Sequence, residues 1–278
     1  MILKSFSKIN LSLNVNKKLK NNLHDIQSYF CQIDLSDRIE INRIKGQRDK
    51  IYFKGEFAKH INKRKNSILN TLTLLRKNKL IFNFYSVLIK KNIPVYAGLG
   101  GGTSNAAYLV KYFLRDNKSK TLLKFFSNKL GSDIRLFFHH QGFLKNLNAV
   151  EGFKRRYMLN FLLVQPNFNN STKYIYSKVR RYSSKKQFST DKINSKRKFI
   201  KLLSKQGNDL QLIVENKYPL VKKLLEDISQ NKGCYFSRMS GSGSVCYGVF
   251  KSKKTARVAL FKIKKKYPKF WASLAKTI

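Results

Sequence analysis

Acidic residues are scarce in this sequence. Its 278 residues include 14 Asp and Glu against 58 Lys and Arg, a formal net charge of +44. Cysteines number three, Cys31, Cys234 and Cys246. An odd count without Cys-x-x-Cys spacing excludes a disulfide framework and a zinc site, and predicts a reducing, cytoplasmic compartment. The four histidines, His24, His60, His139 and His140, form no metal-ligand pattern on a helix. Uninterrupted apolar runs are short. Leu80 to Ile89 is broken by Asn83 and Ser86, well below the roughly 18 residues a spanning helix needs, so no membrane segment is expected. The N-terminus shows no apolar signal region and runs directly into strand-like sequence.

What remains is the composition of a folded, basic protein. Hydrophobic residues make up 42% and aromatics 13%, enough for a packed interior and too much for a wholly disordered chain. The positive charge is spread along the whole length, in runs such as Lys17-Lys18, Lys63-Arg64-Lys65, Lys90-Lys91, Lys154-Arg155-Arg156 and Lys264-Lys265-Lys266. It accompanies abundant Asn, Ile, Phe and Tyr, as compositional drift would produce. A nucleic-acid partner is the alternative that the charge leaves open. Either way the field draws anions.

Alternation from Ile9 to Val15, Ile33 to Ile44, Ile51 to Phe53 and Phe82 to Lys90 predicts strands. Ile68, Leu69, Leu72 and Leu75 predict a helix over Asn66 to Lys77, with Asn66 or Ser67 as N-cap. Further helices are expected over Thr103 to Leu114, Thr121 to Leu130, Tyr218 to Ser229 and Lys253 to Tyr267, with strands over Leu159 to Val164 and Val245 to Phe250. Ser177 to Lys198 is basic and unpatterned, and is read as a loop or frayed helix. A shift of composition at 145–158 suggests two domains, 1–148 and 149–278.

The most informative stretch is Gly98-Leu99-Gly100-Gly101-Gly102-Thr103-Ser104-Asn105-Ala106-Ala107. Its glycines let the backbone approach a ligand closely. The helix that follows presents unpaired N–H groups and a positive dipole end, which suits phosphate. Thr103 and Ser104 add hydroxyls for phosphate or magnesium. No Gly-Lys-Ser/Thr closes the loop, which excludes a Walker A motif. Thr103 stands where the dinucleotide fingerprint needs its last glycine, and no acidic residue follows about 20 positions on.

This loop resembles the phosphate-binding motif of the GHMP kinases. Within that superfamily it is most similar to the branch whose acceptor is a cytidine-diphosphate methylerythritol. Ser7-Lys8-Ile9-Asn10-Leu11 resembles the branch's opening strand. That resemblance implies a catalytic Lys8 and an Asn10 near the acceptor, although a lysine heading a strand is otherwise an ordinary solvated one. Leu23-His24-Asp25-Ile26 to Phe30 resembles the cytidine-reading segment, implying base contact by His24 and a pocket wall at Phe30. The family's aromatic before this histidine is Leu23 here. Gly131-Ser132-Asp133-Ile134 resembles the Gly-Ala-Asp motif and implies Asp133 as catalytic base. A helix N-cap is its plain alternative, and Arg135 replaces the family's proline. Thr172 and Tyr176 fall on substrate-domain positions, Tyr176 as a cytosine stack or a core aromatic. Met239-Ser240-Gly241-Ser242-Gly243-Ser244 resembles the third superfamily motif and is otherwise a tight turn. Asn66 falls near the adenine by the same resemblance.

The resemblance thus implies an α/β (α+β) two-domain GHMP kinase fold, a nucleotide-binding domain plus a smaller α+β substrate domain. It implies ATP with magnesium held largely by phosphate oxygens and touched by Ser104. It further implies transfer to the tertiary 2-hydroxyl of the methylerythritol group, by a monomer or homodimer. Homoserine- or mevalonate-type kinases, or a basic nucleic-acid-binding protein drifted from a kinase ancestor, are the alternatives.

Overall fold

A computed structural model describes residues 1–62, 66–115, 119–187 and 193–278. The basic run Lys63-Arg64-Lys65 and residues 188–192 of the unpatterned segment lie outside the described residues. In chain order the elements are β1 (Ile2–Asn10), β2 (Asn14–Lys18), β3 (His24–Ile44), β4 (Lys50–Lys54), α1 (Ser67–Lys77), β5 (Phe84–Lys90), α2 (Gly101–Leu114) and α3 (Lys120–Leu130). After a 3-10 turn at Ser132–Phe138 come β6 (Gln141–Asn146), β7 (Ala149–Gly152), β8 (Asn160–Gln165), α4 (Thr172–Ser177), α5 (Lys196–Ser204), α6 (Gln211–Lys217) and α7 (Leu220–Ser229). The chain ends with β9 (Cys234–Met239), β10 (Cys246–Phe250), α8 (Lys253–Lys266) and β11 (Trp271–Lys276).

These elements form two compact units, each assembled from separate stretches of chain. The first comprises Met1–Lys8, Leu35–Val95 and Gly100–His139. Here the second half of β3 pairs antiparallel with β5, and β4 pairs parallel with β5. Asp37, Ile39 and Ile41 are buried on one side of β3, while Arg38 and Glu40 point away from that side, the period of two that a half-buried strand requires. α1 begins where Asn66 accepts a hydrogen bond from Leu69 N at 3.0 Å. It buries Ile68, Leu72 and Leu75 against α2. Three such side chains stabilise by about 1.5–3 kcal/mol each. The β-branched Thr71 and Thr73 cost only a few tenths each, so packing decides for helix. Ile134 and Phe137 of the 3-10 turn join the same core.

The second unit comprises Ile9–Asp34, Tyr96–Leu99 and His140–Ile278. The first half of β3 pairs with β2 and β6, and β6 with β7. A second sheet, all antiparallel, has the order β11-β8-β10-β9. Phe161, Leu162, Leu163 and Val164 of β8 are buried on both faces, the signature of a covered central strand. α7 packs on β9 and β10, and α8 on β8 and β11. α8 opens with a reciprocal capping box between Ser252 and Thr255. The compositional shift at 145–158 lies inside this unit.

Strand alternation at Ile9 to Val15 resolves into two elements, the end of β1 and the start of β2. Leu11 N and Ser12 N both point to Tyr29 O, at 2.7 and 3.3 Å, and this interrupts the ladder. All three cysteines are free, and burial pushes the Cys31 and Cys246 thiols far up from their ordinary values. Among the described residues no helix is long and apolar enough to cross a membrane.

Candidate active site

The glycine-rich turn supplies residues to both units. In the first unit, Gly100 is the N-cap of α2 in the left-handed conformation, with φ +70° and no side chain to cap the helix. Ser104 N bonds back to Gly100 O at 2.7 Å. The N–H groups of Gly101, Gly102 and Thr103 precede that first intrahelical bond, so the helix itself offers them no acceptor. Among the described residues a side chain on Gly102 would meet only Ser67 Oγ, at 3.7 Å, so these residues leave space above the first turn. The positive end of the α2 dipole faces it.

Lys8 ends the first unit's share of β1 and is 3% exposed. Its stem lies against Gly100, where an added Cβ would stand 3.2 Å from Lys8 Cε and 3.1 Å from Phe137 Cζ. Its ammonium is 3.4 Å from Asp133 Oδ2, and the Asp133 side chain is 32% exposed. Asp133 rides on the 3-10 turn whose Ile134, Leu136 and Phe137 are buried. Arg135, in the family's proline position, donates from Nε to Ser127 Oγ at 3.1 Å and ties this turn to α3. So Lys8, Asp133, Gly100 and the start of α2 come together, as a buried cation beside a half-open carboxylate.

Ser104 departs from expectation. It is fully buried, its hydroxyl donates to Phe6 O at 2.5 Å, and Ser5 Oγ lies 2.6 Å away. A hydroxyl has one proton to donate, so Ser104 fastens α2 to β1 rather than facing a metal. Thr103, half-buried, carries the other hydroxyl of the turn. Asn105 is 2% exposed and donates from Nδ2 to Asp37 Oδ2 at 3.0 Å, which again is an internal role. Asn66 caps α1, next to the Ser67 that borders Gly102. Leu99 has no exposed surface.

In the second unit, the turn at 239–244 packs on residues 96–98. Ser240 Oγ donates to Gly98 O at 3.1 Å, while Ser244 N and Val245 N donate to Tyr96 O and Ala97 O at 2.9 and 3.1 Å. A Cβ on Gly98 would stand 2.1 Å from Ser240 O, and Gly98 has φ +71°. Gly98→Ala should therefore cost about 3 kcal/mol from strain and overlap combined. Denaturant unfolding measures it, and a cost under about 1 kcal/mol would mean the two turns are not rigidly packed. Asn10 joins this cluster. Its Nδ2 donates to Ser28 Oγ at 2.8 Å, and its N to Ser240 Oγ at 3.2 Å. A Cβ on Gly241 would stand 3.1 Å from Asn10 Oδ1. Thr172 and Ser242 share a hydrogen bond of 2.9 Å between hydroxyls, and Gly243 lies beside Asn170.

His24 and Tyr176, far apart in sequence, have ring centroids 5.1 Å apart at 35°. Burial first, then the charge of Lys18, lowers the His24 pKa from its ordinary value, so its neutral form is favoured. Phe30 has no exposed surface, so it supports this segment from within instead of forming an open wall. Leu23 is 49% exposed.

The buried trio Asp37, Lys91 and Asn105 escaped the sequence reading as a unit. Lys91 was one of many lysines. Its signal was period two, since Val87, Ile89 and Lys91 fall on one face, as do Asp37, Ile39 and Ile41.

Two sheets, two glycine-rich turns and a buried Lys beside an Asp at an uncapped helix start define a GHMP kinase. The GHMP kinases C terminal family matches residues 190–269. A 4-diphosphocytidyl-2-C-methyl-D-erythritol kinase of Pelagibacter ubique (strain HTCC1062) is 38% identical, over 99% of this chain and 98% of that protein. One from Ureaplasma parvum serovar 3 is 33% identical over 88% and 93%. The chain belongs to the 4-diphosphocytidyl-2-C-methyl-D-erythritol kinase family. In fold it is similar to a crystal structure of 4-(cytidine 5'-diphospho)-2C-methyl-D-erythritol kinase, with TM-score 0.75 and 20% identity over 99% of both chains. A homoserine kinase from Cytophaga hutchinsonii shares the fold at TM-score 0.68 and 14% identity, over 100% of this chain and 94% of that one.

Proposed function

We propose that this kinase transfers the γ-phosphoryl group of ATP to the tertiary 2-hydroxyl of 4-diphosphocytidyl-2-C-methyl-D-erythritol. The observation that carries the chemistry is the Lys8–Asp133 pair at 3.4 Å beside the start of α2. An alcohol attacking phosphorus must lose its proton, and the half-open Asp133 carboxylate takes it. Lys8, held on its stem by Gly100, orients that carboxylate and offsets charge developing on the transferred group. The first-turn N–H groups of α2 hold phosphate oxygens.

For the acceptor, His24 and Tyr176 read the cytosine. A neutral imidazole offers one N–H donor and one acceptor nitrogen, which suits a base edge that both donates and accepts. Asn10, Thr172, Gly241 and Gly243 contact the remainder of the acceptor. Phe30 backs the His24 segment.

Among the described residues no three acidic, His or Cys side chains gather as a metal cage. The donor set fits magnesium that would arrive on the nucleotide phosphates, with the half-buried Thr103 the hydroxyl of the turn that would reach it. When bound there, the ion offsets phosphate charge.

The test is ATP turnover with this acceptor, homoserine and mevalonate in parallel. Turnover with the cytidine compound alone is expected. Preference for homoserine or mevalonate would keep the kinase and discard the substrate.

A further inference from the structure

Among the described residues of the first unit, Asp37 is the most completely engaged carboxylate. It has no exposed surface. Its Oδ1 accepts from Asn92 N at 2.8 Å and from Ile93 N at 2.9 Å. Its Oδ2 accepts from Asn105 Nδ2 at 3.0 Å and from the Lys91 ammonium, itself 2% exposed. One carboxylate thereby ties together three pieces of chain: the middle of β3, the turn after β5, and the second turn of α2.

The turn it fixes abuts the glycine loop. An added Cβ on Gly101 would meet Ile93 Cγ2 at 3.0 Å and Lys91 Nζ at 3.5 Å. So the residues that Asp37 holds from below are those on which the first residue of α2 rests. That helix start has three consecutive glycines and no side-chain cap. Glycine leaves the backbone many conformations, and a ligand that needs one of them binds more weakly by the population of the rest. Something outside the loop has to fix it. A buried ammonium at a helix N-terminus also repels the positive dipole end, so Lys91 can stand there only with a counter-charge.

We propose that Asp37 is a positioning residue for the ATP site: through Lys91, Ile93 and Asn105 it holds the start of α2 in its phosphate-binding conformation. It touches neither phosphate nor acceptor. This rests on the kinase reading above and deepens it. Loss of Asp37 loosens the ATP site while the acceptor site, built on residues of the second unit, keeps its affinity.

The experiment compares wild type with Asp37→Asn, with Lys91→Met, and with the two combined. Nucleotide affinity is read directly from the Kd of a fluorescent ATP analogue, independently of turnover. Steady-state KM values are read for ATP and for the acceptor, and a thermal melt gives stability. Asp37→Asn leaves the Lys91 charge buried without its counter-ion, so both Tm and ATP affinity fall. The double variant removes both charges. It is expected to recover most of the Tm while ATP Kd and KM stay about tenfold weaker, with acceptor KM within about twofold of wild type. Recovery of both Tm and ATP affinity would overturn the proposal and leave Asp37 a stabilising residue only. So would an equal fall in ATP and acceptor affinity. If Asp37→Asn does not fold, Asn105→Ala decides, because it removes one bond and no charge. A weakening of ATP binding by about threefold at unchanged acceptor KM supports the proposal, and unchanged ATP binding overturns it. A wild type that binds no nucleotide would instead sink the kinase reading.

Discussion

Asp133→Asn lowers kcat by about 10³-fold and leaves the KM for ATP within a fewfold of wild type. The amide matches the carboxylate in shape but cannot take the proton of the attacking alcohol. Loss of general base catalysis is worth about 10²- to 10⁴-fold, and 10³-fold is about 4 kcal/mol of barrier. The cost in stability should be smaller. The Asp133 side chain is 32% exposed, so water reaches one end of its pair with the buried Lys8, and the loss stays below the about 3–5 kcal/mol that breaking a fully buried pair costs. The two readouts therefore separate chemistry from folding. Single-turnover rates with saturating ATP and acceptor make the measurement. A fall of less than tenfold would demote Asp133 to an acidic side chain near the start of its 3-10 turn, with no proton to move. A fall matched by an equal loss of melting temperature would say that the pair holds the turn rather than serving the reaction.

The same pair shows what could be read in advance. Lys8 and Asp133 are 125 positions apart, and neither stands out alone in a chain with so much lysine. Each was legible because its immediate neighbours matched a motif. That the two meet at 3.4 Å depends on β1 and the 3-10 turn packing around Gly100, which no local pattern encodes. Period two and period 3.6 found α1, α2, α3, α7 and α8 and most strands because those elements bury one face. They missed α4, α5, α6, β6, β7, β9 and β11, of which α6, β7, β9 and β11 are largely half-exposed. Ser104 was misread for a related reason. Its hydroxyl sits in a phosphate-binding motif, yet helix geometry turns that position inward, onto Phe6 and Ser5. A motif gives residue type and order. Which positions of a helix face the ligand follows only once its buried residues are known, and in α2 Ser104, Asn105, Ala106 and Ala107 are all buried.

Tyr176→Ala should raise the acceptor KM by about 5- to 150-fold and leave the ATP KM unchanged. α4 is six residues long, capped by Ser171 and anchored by the fully buried Ile175, so Tyr176 is held at a fixed place beside His24. A base stacked on an aromatic ring gains about 1–3 kcal/mol, and that range is the expected KM change. In this chain the stack cannot be shared with the residue before His24. The family places an aromatic there, and here it is Leu23, exposed and aliphatic. If Tyr176 stacks on the cytosine as proposed, it carries a larger part of that recognition than in a protein with rings on both sides. Tyr176→Phe keeps the face and should stay within about threefold of wild type. The decisive comparison replaces the acceptor by one lacking the cytosine. If stacking is the cause, Tyr176→Ala has no further effect on that truncated acceptor, because the interaction it removes is already gone. An equal loss with both acceptors would mean that Tyr176 only packs α4 in place.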